Sequence, residues 1–328
     1  MSMLPWILLF LSVLAATIPY ILLVLFIWWM DRYEREPFGY VVLSTLWGAI
    51  GAIIIGIIFS LILLIPAAML VGKNMADLFG TILIAPIAEE ISKGIFILII
   101  FKSLQFDNAT DGFVYGAASG LGFAMTENFL YFSQSVGSLQ NWIIIVVLRT
   151  LFTGIMHMIT CAIFGAAVGY VKYNKSMAKK ILIPLFGLGI GMGIHSIWNI
   201  TAVWQSKDPN TYPLVWGILL LFIALTTIIV LFLLSLSNER KIIIKHLTAE
   251  SEAGLIPKEH IFYISNFLKR NRPGWIHPSI RKKYIDCAVH LAFRQDQLEN
   301  AGNPKKIELL KRDIEKQRQE IKRLLGKE

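Results

Sequence analysis

Charge is scarce in this chain. Of 328 residues only 16% are Asp, Glu, Lys or Arg, 55% are hydrophobic, and the mean hydropathy is +0.62. A soluble globular chain carries about 25% charge, so the composition excludes that class and points to a polytopic membrane protein. Cysteine is scarcer still. Cys161 in an apolar segment and Cys287 in a charged one cannot build a disulfide framework, and their spacing matches no zinc knuckle. A glycine-rich phosphate loop is also missing, because the glycines of "GLGIGMG" (residues 187–193) sit in an apolar run with no strand before them. There they read as close helix packing. No fixed-period repeat, no low-complexity segment and no His-Glu-x-x-His zinc motif occurs. The N-terminal "MSMLPWILLF" lacks the basic region and small-residue cleavage site of a signal peptide, and is expected to stay as a first transmembrane helix.

The net charge is +9, yet 20 of the 31 Lys and Arg follow Asn238, mixed with 12 acids. Mixed charge of this kind reads as a solvated helical surface beside anionic lipid, so no nucleic-acid partner is expected. What is abundant is apolar length. A helix needs about 20 apolar residues to cross the hydrocarbon core, and seven segments qualify: 4–30, 38–71, 78–101, 112–132, 142–170, 181–204 and 214–236. The second is long enough to tilt or bend at Gly48, Gly51, Gly56 or Pro66. Trp6, Trp28, Trp29, Trp142, Trp204 and Trp216 fall near span ends, as an aromatic belt requires. One alternate set of loops carries Arg32, Arg35, Lys102, Lys172, Lys175, Lys179 and Lys180; the other carries Lys73 and Lys207. The positive-inside rule then puts the N-terminus outside and the C-terminus in the cytoplasm.

The expected fold is therefore all-α: a membrane helix bundle of about seven spans over residues 1–236, then a basic cytoplasmic helical tail over 237–328. Near the end of the tail, Asn303 suits a helix cap, Pro304 the first helical position, and Ile307, Leu310, Ile314, Ile321 and Leu324 form a 3/4-spaced stripe interrupted by Gln317. This helix is expected to pack in a small bundle with helices around 261–268 and 284–293.

Inside the spans lie Glu89, Glu90, Lys93, Glu127, Arg149, His157, His195 and Asn199. Each ionised group at bilayer depth costs roughly 2.5–3.5 kcal/mol, so together they oppose insertion by something on the order of 20 kcal/mol. Packing alone does not require that. Glu89 and Lys93 are four apart and share a helix face, which makes Lys93 the expected counter-ion of Glu89, with Glu90 about 100° away. Phe123 and Glu127, His195 and Asn199, and Arg149, Thr153 and His157 show the same step of four. Helical rise brings Glu89, Glu127, His157 and His195 into a slab roughly 10–12 Å thick at the midplane and outer half.

Acid and imidazole gathered at one depth compose a hydrolytic site. A carboxylate there acts as general base on water, and His and Asn donate hydrogen bonds to a developing oxyanion. The same side chains offer a second chemistry. His157, His195, Glu89 and Glu127 are the ligand types of a catalytic zinc with an open position, so the site works either without a cofactor or with a divalent metal such as zinc. Arg149 and Lys93 read as counter-ions. A proton- or ion-coupled transporter is the alternative, since acid and histidine chains also mark such proteins; the repeated halves frequent in transporters are not seen.

Set in order, "EEISK" (Glu89, Glu90, Lys93), "FAMTE" (Phe123, Glu127), the helix bearing His157, "HSIWN" (His195, Asn199) and the "DRYEREP" loop (31–37) resemble the PrsW family of intramembrane proteases, related to the CAAX prenyl-protease and bacteriocin-processing superfamily. The resemblance covers about residues 28–204. It implies cleavage of peptide bonds in or beside the inner membrane, in membrane-anchored regulators of the anti-sigma-factor kind. By resemblance Glu89 activates water with Glu127 assisting, His195 and Asn199 bind the oxyanion, and Glu90 and His157 are required neighbours.

Overall fold

The computed structural model describes residues 3–103, 105–208, 212–302 and 304–327. All regular elements among them are helices. α1 spans Leu4–Met30; α2 (Phe38–Leu46) runs through a wide π-helical turn, Trp47–Ala52, into α3 (Ile53–Val71). α4 (Lys73–Phe79) joins α5 (Ala85–Ile100) through a second such turn, Gly80–Ile84, and α6 spans Ala109–Gln134. A third, Arg149–Thr153, joins α7 (Leu139–Leu148) to α8 (Gly154–Tyr170). α9 (Met177–Lys207), α10 (Pro213–Glu252), α11 (Lys258–Ile264), α12 (Pro278–Asn300) and α13 (Pro304–Leu324) follow.

Among the described residues, five helices are long and apolar enough to cross a membrane: Leu4–Met30, Phe38–Val71, Leu139–Tyr170, Met177–Lys207 and Pro213–Glu252. The two other expected segments are helical as α4–α5 and α6, but ionisable and small residues lower their hydropathy. The reason for α6 is visible in its surroundings. Every residue from Thr110 to Ala124 is buried, so this helix meets protein where the others meet lipid.

The chain divides into two units: Met1–Met30, Glu36–Lys172 and Ser176–Phe232 in one, and Asp31–Arg35, Tyr173–Lys175 and Leu233–Glu328 in the other. In the first, α6 is the axis. A side chain at Gly112, Gly116 or Gly120 would put its Cβ 1.9, 2.4 or 2.2 Å from the carbonyl oxygens of Gly165, Cys161 and His157, so α6 and α8 touch backbone to backbone along one face. Of the glycines at 187–193, Gly187 and Gly191 press on Ala167 and Thr160, while Gly189 and Gly193 meet nothing within 4 Å. We predict that Gly165→Ala, whose Cβ would sit 1.9 Å from Gly112 O, destabilises the bundle by about 1–3 kcal/mol. Thermal unfolding in detergent reads this directly; an unchanged midpoint contradicts the contact.

Each π turn frees a carbonyl that a polar side chain on another helix takes. Thr126 Oγ1 donates to Ala49 O at 2.6 Å, Asn199 Nδ2 to Thr81 O at 2.9 Å, and Tyr20 OH to Arg149 O at 3.3 Å. Such turns are uncommon and concentrate at functional sites. The first also contains Gly48 and Gly51, two of the bend positions expected from sequence. At the start of α6, Asn108 Oδ1 accepts from the Thr110 and Asp111 amides while Asp111 Oδ2 accepts from the Asn108 amide, a reciprocal cap.

The second unit has its own core, including Ile243, Leu247, Ile264, Tyr284, Leu291, Ile314 and Ile321. On α13, Leu310, Ile314 and Ile321 are buried, and Ile307 and Leu324 are half-buried, so the 3/4 stripe is the packed face. The proposed Asn303 cap lies outside the described residues. Within this unit the loop 31–35 is held by Tyr33 OH donating to Ser265 O (3.2 Å) and by Glu34 beside His290 (3.2 Å).

Candidate active site

The eight ionisable or amide side chains singled out in the spans come together in the first unit, in two layers. Glu89, Glu127, Arg149, His195 and Asn199 line a cavity of about 860 Å³, with Thr81, Tyr131, Thr153 and Trp198 among its other walls. Behind them are Glu90, Lys93 and His157, at 2%, 0% and 0% exposure.

Lys93 Nζ lies 2.6 Å from Glu90 Oε1 and 2.9 Å from His157 Nδ1. The expected pairing of Lys93 with Glu89 is therefore not the one formed. Positions three and four apart are equally close on a helix, and what decides is the neighbouring helices. On the buried side of α5, Glu90 also accepts from His195 Nδ1 at 2.9 Å, so its carboxylate collects two donors. Glu89, one residue earlier, turns to the cavity. It is 16% exposed, and its Oε2, 3.8 Å from His195 Nε2, is a buried oxygen without a hydrogen-bond partner.

Counting donors assigns the imidazole protons. An ammonium only donates, so His157 Nδ1 accepts from Lys93; its Nε2 then carries the proton and donates to Glu127 Oε2 at 2.7 Å. A carboxylate only accepts, so His195 Nδ1 is the donor to Glu90 Oε1. In its neutral form His195 thus turns a lone pair on Nε2 toward Glu89. The rings of His157 and His195 meet edge to face at 5.0 Å.

Glu127 also meets a cation. Arg149 Nη2 lies 2.7 Å from Glu127 Oε2, an ion pair without good hydrogen-bond alignment, while Arg149 Nε donates to Asn128 Oδ1 at 2.8 Å. The guanidinium rests 3.6 Å over the Tyr131 ring. Phe123, expected to stack on Glu127, instead packs on His157 at 5.1 Å and under the Lys93 ammonium at 4.7 Å. Asn199 spends one amide proton on Thr81 O, which leaves one for the cavity. Asn128, Tyr131 and Tyr20 were not legible as site residues: one amide beside Glu127 and two tyrosines in apolar helices carry no distinguishing spacing.

Glu89, His157 and His195 each offer a ligand atom within 4.8 Å of the others. The donor chemistry fits a zinc-type ion. His195 Nε2 has a lone pair and a carboxylate behind its other nitrogen, the usual support of a metal-binding histidine, and Glu89 Oε2 is unpartnered. His157 completes the set only by giving up a hydrogen bond. Glu127, counted as a ligand from sequence, is outside this group and paired with Arg149 and His157. A further group, His246, Asp296 and Glu299, occurs in the second unit, but Glu299 already holds Lys245 at 2.5 Å.

Comparison with known proteins gives the family. The sequence model of the PrsW family intramembrane metalloproteases matches residues 36–234, which include every site residue above except Tyr20. Protease PrsW of Oceanobacillus iheyensis is 32% identical over 160 residues, covering 49% of this chain and 67% of the relative. That of Geobacillus kaustophilus is 28% identical over 182 residues (54% and 76%), and that of Bacillus subtilis 25% over 166 (50% and 71%). No solved structure matches the chain at a significant level. With glutamates and histidines from α5, α6, α8 and α9 converging at one cavity, and a family match across most of the helices that carry them, the chain belongs to the PrsW family of intramembrane metalloproteases and is a protease.

Proposed function

We propose that the protein hydrolyses peptide bonds of membrane-anchored regulatory proteins, of the anti-sigma-factor kind, with Glu89 activating the attacking water. The observation that carries this reading is the Glu89 side chain on the cavity wall, whose buried Oε2 has no hydrogen-bond partner and lies 3.8 Å from His195 Nε2. Two acceptors at that separation both fit the hydrogens of one water molecule. Glu89 takes one proton as the water oxygen bonds to the peptide carbon, and returns it to the leaving nitrogen as the carbon–nitrogen bond breaks. Negative charge on the former carbonyl oxygen is met by the free amide proton of Asn199, while His195, its Nδ1 proton held by the Glu90 carboxylate, keeps its Nε2 lone pair on the water. Lys93 and His157 hold Glu90 and Glu127 in place, and Arg149 balances the charge of Glu127. Bound by Glu89, His157 and His195, a zinc-type ion would supply polarisation of the carbonyl and a more acidic water.

On this reading α4–α5 and α6 also cross the bilayer, making seven spans, with the N-terminus outside, the tail after residue 236 in the cytoplasm, and the inner membrane as the protein's location. Enclosure of α6 by its neighbours supports this, because a helix shielded from lipid has no need of high hydropathy. The transporter alternative rested on the same buried charges, and membership of a protease family favours hydrolysis.

Metal analysis tests the cofactor. The purified protein is expected to carry about one zinc-type ion per chain, to lose cleavage of a membrane-anchored reporter on chelation, and to regain it on adding zinc. Full activity in metal-free protein would assign the chemistry to the carboxylates alone.

A further inference from the structure

Tyr20 lies in α1, before the first residue the family model matches, and is 0% exposed. It belongs to the stripe Leu8, Ser12, Ala16, Tyr20, Val24 and Ile27 by which α1 docks. Its ring needs no hydroxyl for that packing, yet the hydroxyl is fully engaged. It accepts from Asn128 Nδ2 at 2.5 Å and donates to Arg149 O at 3.3 Å. Asn128 in turn accepts Arg149 Nε at 2.8 Å, and the same guanidinium faces Glu127 Oε2 at 2.7 Å.

The opposite wall is shaped to admit the hydroxyl. A Cβ on Gly154 would stand 2.1 Å from Tyr20 OH, so the first residue of α8, directly after the π turn that carries Arg149, leaves room for it. Asn128 has one amide nitrogen and one oxygen; its nitrogen end is held by Tyr20 OH at 2.5 Å and by Arg149 O at 3.4 Å, which leaves the oxygen for Arg149 Nε. The hydroxyl therefore sets both the backbone of the π turn and the amide that aims the guanidinium.

We propose that Tyr20 is a positioning residue for hydrolysis, acting through Asn128 and Arg149 on the Glu127 carboxylate. The inference rests on Glu127 and Arg149 working at the active cavity. Loss of the hydroxyl leaves the Asn128 nitrogen only its longer contact to Arg149 O and loosens the π-turn backbone, so the guanidinium drifts from Glu127, and a shift of about 1 Å at such a group costs up to about a hundredfold in rate.

Kinetics in proteoliposomes with a membrane-anchored reporter test it. Tyr20→Phe is expected to lower kcat by about tenfold or more with KM unchanged, and Gly154→Ala, which displaces the ring from the other side, to do the same. A double-mutant cycle supplies the readout that a purely structural role would not move. If Tyr20 acts through Arg149, Tyr20→Phe adds little to the defect of Arg149→Lys. Additive losses, or an unchanged kcat in a folded Tyr20→Phe protein, overturn the proposal. If Glu127→Gln and Arg149→Lys both cleave at the full rate, the reading of the cavity fails and the inference with it; if they lose activity and Tyr20→Phe does not, only the inference fails.

Discussion

Glu89→Gln is expected to abolish cleavage while leaving the protein folded and inserted. The amide keeps the size of the carboxylate and loses its basicity, and removal of a general base costs about 10² to 10⁴ in rate, or about 3–5 kcal/mol of transition-state stabilisation. Stability gives the experiment a second edge. Because Glu89 Oε2 is buried without a hydrogen-bond partner, the neutral amide removes an uncompensated charge and its nitrogen can donate toward His195 Nε2, so the unfolding midpoint should hold or rise. An inactive variant that unfolds early would mean instead that Glu89 is a structural member. His195→Ala should be equally inactive, and cleavage by both variants at the native rate would sink the assignment of this cavity.

Lys93→Met should have the opposite profile, with stability lost first. Lys93 at 0% and Glu90 at 2% exposure form an ion pair shut away from water, and His157 Nδ1 also depends on the ammonium. Removing one partner of such a pair costs about 3–5 kcal/mol, because the other is left charged and unmatched. The double variant Lys93→Met with Glu90→Gln should recover much of that stability, since a neutral pair needs no partner charge. It should not recover activity, because the carboxylate that accepts from His195 Nδ1 and so fixes the ring and its Nε2 lone pair has gone. Chemical denaturation in mixed micelles reads the stability and the reporter assay the activity; a double variant no more stable than the single one would show that the ion pair is not what the lysine is for.

These two profiles separate residues that sit side by side in "EEISK", and sequence alone did not separate them correctly. The helix and its charges were legible from an apolar run with three ionisable groups. Which carboxylate took the lysine was not, because offsets of three and four are equivalent on one helix and the choice belongs to His195 on another. The convergence of acids and imidazoles was legible because charge inside apolar runs is costly. Five helices stand out by hydropathy, whereas α6, enclosed by protein, gives up that signal in exchange for the small residues that bring α8 against it. Tyr20 left no trace in the sequence, since a tyrosine in an apolar helix marks nothing until its hydroxyl is seen on Asn128.

The π turn at Arg149–Thr153 has a consequence for how this chain tolerates change. Eight steps of ordinary α-helix, from 149 to 157, leave the end side chains about 80° apart, yet Arg149 and His157 both reach Glu127 Oε2 at 2.7 Å. The wider turn winds less per residue and absorbs that angle, so its extra residue works as a phase correction between two parts of one helix. Seven steps of ordinary α-helix leave the two ends only about 20° apart, so a one-residue deletion that closed the turn to α-helix would keep His157 nearly in phase with Arg149 and would lose the freed carbonyl that Tyr20 takes. The turn thus makes chain length a local freedom: the helix carries one residue more than an α-helix needs without moving the catalytic side chains out of register.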